Sequence, residues 1–238
     1  MRVQTFLGAV LLVLQGLSGI GCVTAGKYVP YSSRQGNPEQ LKAQVLGLIS
    51  TLSLEEKIAQ RCILYIPKDL NLEEIEEYVR LRKPGGIILY RWNYVSLEEL
   101  KHLTQTIQRA YPAGYPRPFI CADQEGGRVQ AFRFREFAQM PPAYHLGLYR
   151  DAELIRAAAY ITAVQMREAG CSMNLAPVLD VVEAGDTSII GDRSYGTDPD
   201  WVAEAARAYL RGMHQGGIIP VVKHFPGHGS TRIDSHSR

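Results

Sequence analysis

Between Lys223 and His236 the chain crowds three histidines, one lysine and one aspartate into fourteen residues: Lys223, His224, His228, Asp234 and His236. Histidine is the side chain whose unperturbed pKa lies nearest working pH. Asp234, two residues before His236 on a bent loop, can orient the imidazole and tune its basicity, which makes the two a general acid/base pair. The competing reading is a solvated tail. A third reading is a metal site, because His224, His228, Asp234 and His236 offer nitrogen and oxygen ligands. Lys223 and Arg232 bring positive charge that works against a cation.

Three further polar clusters recur upstream. Asp123-Gln124-Glu125-Gly126-Gly127-Arg128 sets a carboxylate before a glycine turn, a pattern suited to hydroxyl recognition or to a structural Asp–Arg pair. Asn174 to Asp180 follows another apolar run. Arg193, in the loop Gly191–Gly196, has a planar fork that suits a carboxylate or a sugar oxygen and would equally staple its loop to a neighbouring acid.

Each cluster needs a strand to deliver it. Apolar runs at Cys62–Ile66, Gly85–Tyr90, Phe119–Asp123, Ser172–Leu175 and Gly217–Val222 read as short buried strands. Between them lie helical stretches at Leu72–Arg82, Leu97–Tyr111, Ala152–Ala169 and Pro199–Gln215. Two more helices precede the first strand, at Leu41–Leu52 and from Ser53, whose hydroxyl and Glu56 form a capping box. Alternation of this kind predicts a parallel sheet with polar residues at the carboxyl ends of its strands. About five strands are present, so the fold class expected is a TIM-type (β/α)8 barrel, incomplete, with about five of eight units. An open doubly wound sheet is the alternative, but no Gly-x-Gly-x-x-Gly follows the first strand.

The 238 residues carry a net charge of +2 with no basic block, which argues against a nucleic-acid partner. Residues 1–22 read as an export signal, with Arg2 ahead of an apolar stretch from Phe6 to Leu17. The small residues before Cys22 resemble a bacterial lipoprotein cleavage site, although Gly19 stands where such sites prefer Leu. Cys22 is then the lipidated residue, and the mature protein is lipid-anchored at the cell envelope; cleavage nearby would make it periplasmic or secreted. Residues 23–40 read as a polar tether, and 41–238 as the barrel domain. Cys62, Cys121 and Cys171 are an odd set in apolar surroundings, expected to be buried free thiols.

Several motifs carry a resemblance. Lys-His-Phe-Pro-Gly-His-Gly at 223–229 followed by Asp-Ser-His at 234–236 resembles the signature of the bacterial β-N-acetylhexosaminidases of glycoside hydrolase family 3. Asp-Gln-Glu-Gly-Gly-Arg-Val-Gln at 123–130, Asn-Leu-Ala-Pro-Val-Leu-Asp at 174–180 and Arg-Ser-Tyr-Gly at 193–196 resemble the same family in the same order. So do Leu-Glu-Glu-Lys-Ile-Ala-Gln at 54–60 and Gly-Gly-Ile-Ile-Leu-Tyr at 85–90. The resemblance implies removal of terminal β-linked N-acetylglucosamine by a retaining route. His236 is then the acid/base, assisted by Asp234, while Asp123, Arg193, Lys223 and His224 hold the sugar and His228 shapes the loop. The implied partner is an N-acetylglucosamine-containing glycan, such as a cell-wall fragment or chitin oligomer, and no cofactor or metal is implied. Two departures stand out. Ala131 occupies a position where the family usually has a sugar-binding Arg, a loss that Arg128 or Arg133 would have to offset. The family's nucleophilic Asp lies downstream of the Asp-Ser-His motif and is not among these residues, and a retaining route requires such a carboxylate. The alternatives are a lipid-anchored sugar-binding remnant without turnover, a β-glucosidase, and a metal-dependent hydrolase.

Overall fold

The computed structural model of the chain describes residues 37–183, 185 and 188–231. The signal segment, Cys22, most of the expected tether, Asp234 and His236 lie outside the described residues.

Helix α1 (Pro38–Thr51) starts three residues before the expected Leu41, because Asn37 caps it by accepting from the Glu39 amide and Pro38 occupies its first turn. Helix α2 (Leu54–Ala59) opens on Ser53, with Glu56 reaching back to the Ser53 amide as its spacing predicts. Then follow β1 (Ile63–Tyr65), α3 (Leu72–Arg82), β2 (Gly86–Ile88), a single 3-10 turn (Arg91–Asn93), α4 (Leu97–Arg109) and β3 (Phe119–Ala122). A short hairpin, β4 (Gln124–Gly126) and β5 (Val129–Gln130), precedes α5 (Ala143–Leu148) and α6 (Ala152–Glu168). Strand β6 (Met173–Asn174), a 3-10 turn (Gly191–Arg193), α7 (Pro199–Gly216) and β7 (Ile219–Pro220) complete the described elements.

Strands β1, β2, β3, β6 and β7 form one sheet in that order, every neighbouring pair parallel. Chain order equals spatial order, as the β/α rhythm requires. The core lies between sheet and helices, with Ile87, Leu89, Ile120, Leu100, Ile107, Ile155, Met166 and Met213 inaccessible or nearly so. Helices α6 and α7 pack closely along their length, where Gly212 and Gly216 abut Ala159 and Ala163.

Four expectations are corrected. The β4–β5 hairpin and α5 fill a stretch, between the strand ending at Asp123 and the helix from Ala152, for which the sequence predicts only a glycine turn. Strand β7 is shorter than the expected run and is not buried: Ile218 is inaccessible, but Ile219 and Val222 are exposed on the outer side of an edge strand. Exposed Ile63 and Tyr65 mark β1 as the opposite edge. Cys62 is exposed, whereas Cys121 and Cys171 are the buried thiols expected; burial pushes the Cys121 thiol up to about 12.

Candidate functional site

Asp123 follows β3, and its position is fixed from beneath. Asn174, wholly buried in β6, accepts from the Gln124 amide at 3.0 Å and donates to the Gln124 carbonyl at 3.0 Å and the Tyr209 hydroxyl at 2.9 Å. The Gln124 side chain accepts from the Phe132 amide at 2.9 Å. Buried polar groups fully paired in this way hold a single backbone path. Asp123, just before β4, and Glu125, within it, lie two residues apart and meet the same partner.

That partner is Lys223. A parallel bridge between Val178 and Lys223 continues the β6–β7 pairing, with the Leu179 amide donating to the Lys223 carbonyl at 2.7 Å. The Lys223 ammonium reaches Asp123 Oδ1 at 2.6 Å and Glu125 Oε1 at 2.5 Å. Arg193 grips Glu125 with two parallel bonds, Nε to Oε2 and Nη2 to Oε1, both 2.8 Å. The same Nη2 lies 3.4 Å from His224 Nε2. His224 Nδ1 meets Asp180 Oδ2 at 2.6 Å, and Asp180 Oδ1 accepts the His228 amide at 2.5 Å. In the neutral tautomer with Nδ1–H donating to the carboxylate, His224 Nε2 is an acceptor. The loop carrying Arg193 is tied down by Ser194 Oγ donating to the Asp180 carbonyl at 2.6 Å and by Arg128, which pairs with Asp192 at 2.8 Å.

Exposure separates the members of this chain of contacts. The side chains of Asp123 and His224 each remain 32% exposed, while Glu125 is at 5% and Asp180 at 1%. Asp123 and His224 can therefore touch a ligand, and Glu125 and Asp180 set the geometry of the groups that do. Burial works to raise the Glu125 pKa, but the bidentate Arg193 bond and the Lys223 charge outweigh it and hold the carboxyl below its usual value. Arg193 is correspondingly held above its usual value by Glu125, against the opposing effect of burial.

The structure thus brings Asp123, Arg193, Lys223 and His224 together, while His236, Asp234 and Cys22 lie outside the described residues. Arg193 staples its loop to an acid, Glu125, at the rim of the cluster. Arg128 pairs with Asp192 and not with Asp123, which excludes the structural pair considered within 123–128. Both guanidinium groups near Ala131 are engaged, Arg128 also with the Ile189 and Ile190 carbonyls and Arg133 with the Arg128 carbonyl at 2.8 Å. Sequence reasoning gave Glu125 and Asp180 no role, although both stood inside the motifs singled out. Among the described residues, no group of three His, Cys, Asp or Glu side chains converges so as to hold a metal ion.

Two cations, one exposed carboxylate and an imidazole with an acceptor nitrogen, lined up beyond the strand ends, suit a ligand rich in hydroxyl and amide groups. Residues 53–238 match the glycosyl hydrolase family 3 N-terminal domain, and the chain belongs to that family. Its α/β architecture is accordingly of TIM-barrel type, five parallel strands of which are described. The chain is 40% identical over 165 residues to a beta-hexosaminidase of Nitrosospira multiformis, covering 66% of this chain and 46% of that protein. It is 33% identical over 196 residues to the beta-hexosaminidase LpqI of Mycobacterium tuberculosis, covering 82% and 48% respectively. Among solved structures, NagZ from Neisseria gonorrhoeae in complex with N-trifluoroacetyl-D-glucosamine matches with a TM-score of 0.65 and 34% identity, over 74% of this chain and 52% of that one. The chain spans about half the length of the curated relatives it matches.

Proposed function

We propose that this chain supplies the sugar-holding rim of a β-N-acetylhexosaminidase that removes terminal β-linked N-acetylglucosamine by a retaining route. The observation that carries this reading is the continuous line of contacts Asp123–Lys223–Glu125–Arg193–His224–Asp180 at the carboxyl ends of β3, β6 and β7. In it Asp123 accepts from sugar hydroxyls, Lys223 and Arg193 donate to sugar oxygens, and His224 presents Nε2. The names of the relatives, and the glucosamine derivative in complex with the Neisseria NagZ, support N-acetylglucosamine as the sugar.

His236, oriented by Asp234, is proposed as the group that protonates the departing oxygen and later activates water. The nucleophile of a retaining route must be a carboxylate able to reach the anomeric carbon. Glu125 and Asp180 are buried and fully engaged, and Asp123 is held by Lys223. None of the three is suited to that task, which leaves them as binding and positioning groups. Export, and anchoring through a lipidated Cys22, belong to the same proposal and rest on the pattern of residues 1–22. Among the described residues, no helix is long and apolar enough to cross a membrane.

Calorimetric titration with N-acetylglucosamine and with glucose tests the reading. One saturable site preferring N-acetylglucosamine is expected, weakened about tenfold to a hundredfold by Asp123→Ala, the worth of a hydrogen bond to a charged group. Tighter binding of glucose would favour a β-glucosidase. Unchanged binding by Asp123→Ala would remove the assignment of the rim.

A further inference from the structure

Beside the rim stands an aromatic pair that the sugar-holding contacts do not use. Tyr90 and Trp92 stack with ring centroids 4.4 Å apart and planes 17° from parallel. Strand register sets where they lie: Ile88 pairs with Cys121, so two residues further on Tyr90 runs alongside Asp123. The Asp123 carboxylate adds to burial in discouraging ionisation of the Tyr90 phenol, which agrees with that proximity.

The stack is held firmly. Asn93 accepts from the Tyr90 amide at 2.9 Å and donates to the Ile66 carbonyl at 3.2 Å. Trp92 Nε1 donates to the same carbonyl at 3.4 Å. Arg91 clamps the turn to the β4–β5 hairpin, its Nε and Nη2 donating to the Gln130 carbonyl at 3.0 and 2.6 Å. The next residue is Ala131, whose amide donates to the Asp123 carbonyl at 3.0 Å. Yet Trp92 remains 48% exposed. A half-exposed indole fixed by these hydrogen bonds and stacked on the tyrosine that runs alongside Asp123 is a surface suited to the C–H face of a pyranose.

We propose that the Tyr90–Trp92 stack is a second subsite, receiving the sugar ring that follows the one held at Asp123 in a β-linked glycan. This deepens the reading given under the proposed function and rests on it. The expected ligand is a glycan of two or more pyranose rings, with Arg91 Nη1 able to donate to the second ring.

Binding of N-acetylglucosamine and of its β-1,4-linked disaccharide to the whole chain, by calorimetry and tryptophan emission, provides the test. The disaccharide should bind about tenfold more tightly than the monosaccharide. It should also perturb the emission of Trp92, since Trp201, the other tryptophan, is buried. Trp92→Ala should bring the affinity ratio to about one, and Trp92→Phe should keep most of it. A ratio near one in the wild type, with the monosaccharide still bound, would overturn the second subsite alone, as would an unchanged ratio in Trp92→Ala. Failure of the wild type to bind either sugar would overturn the sugar site itself and this subsite with it.

Discussion

Glu125 is the hinge of the rim at the scale of single residues. It is buried between Arg193 and Lys223, so its loss would strand the Arg193 guanidinium in a poorly hydrated place and leave Lys223 with Asp123 alone. Breaking a buried pair costs about 3–5 kcal/mol because the remaining charge is uncompensated. Glu125→Ala should therefore lower the unfolding free energy measured in urea by that order and weaken N-acetylglucosamine binding as Arg193 and Lys223 lose their positions. The pH dependence has a definite sign. The folded-state pKa of Glu125 lies below its unfolded value, so the unfolded chain binds more protons between the two. The stabilisation is complete above the unfolded value, about 4.3, and is lost as pH falls through the folded one. The stability gap between wild type and Glu125→Gln should thus narrow on acidification, in unfolding curves taken across that range. Asp123, Lys223 and His224 stand out in the sequence at the ends of apolar runs and Arg193 in a glycine-bounded loop, and the family resemblance groups the four. Glu125 and Asp180 were not given roles, because spacing does not tell which carboxylate of a motif ends up beneath another.

Among the elements, the seam between α6 and α7 is the tightest test of packing. A methyl group on Gly212 would meet the Arg156 carbonyl and Ala159 Cβ, with Ala159 and Arg156 both on the facing helix. Such overpacking costs about 1–3 kcal/mol, against a helix-propensity gain of about 1 kcal/mol from replacing glycine. Gly47 lies in the middle of α1 with nothing within 4 Å of the added carbon. Gly212→Ala should therefore lower the thermal midpoint, and Gly47→Ala should raise it slightly through a gain in stability of about 0.5–1 kcal/mol. The helices were the most readable elements. The capping box at Ser53 and Glu56 and the bounds Leu72–Arg82 stand as the sequence predicts. Strands were read too long, because an apolar run shows only that a segment prefers burial, while pairing ends where the chain turns to deliver Asp123 or Lys223.

For the whole molecule, the order of the β/α units was legible because sequential parallel strands leave few other arrangements. The exposure of the sheet's two sides was only partly so. Ile63 and Tyr65 on β1, and Ile219 with the following Val222 and Phe225 at β7, show apolar side chains to solvent, a pattern that invites further chain or partner surface. The proposed sugar site lies between these edges, and everything proposed for Asp123, Lys223, Arg193 and His224 depends on one ligand touching them together. A crystal structure of the chain soaked with N-acetylglucosamine measures that directly. The expected result is one pyranose ring beyond the ends of β3 and β7, with oxygens within hydrogen-bond distance of Asp123 and Lys223 and close to His224. A sugar bound elsewhere on the chain, with these four side chains still closed on one another, would contradict it.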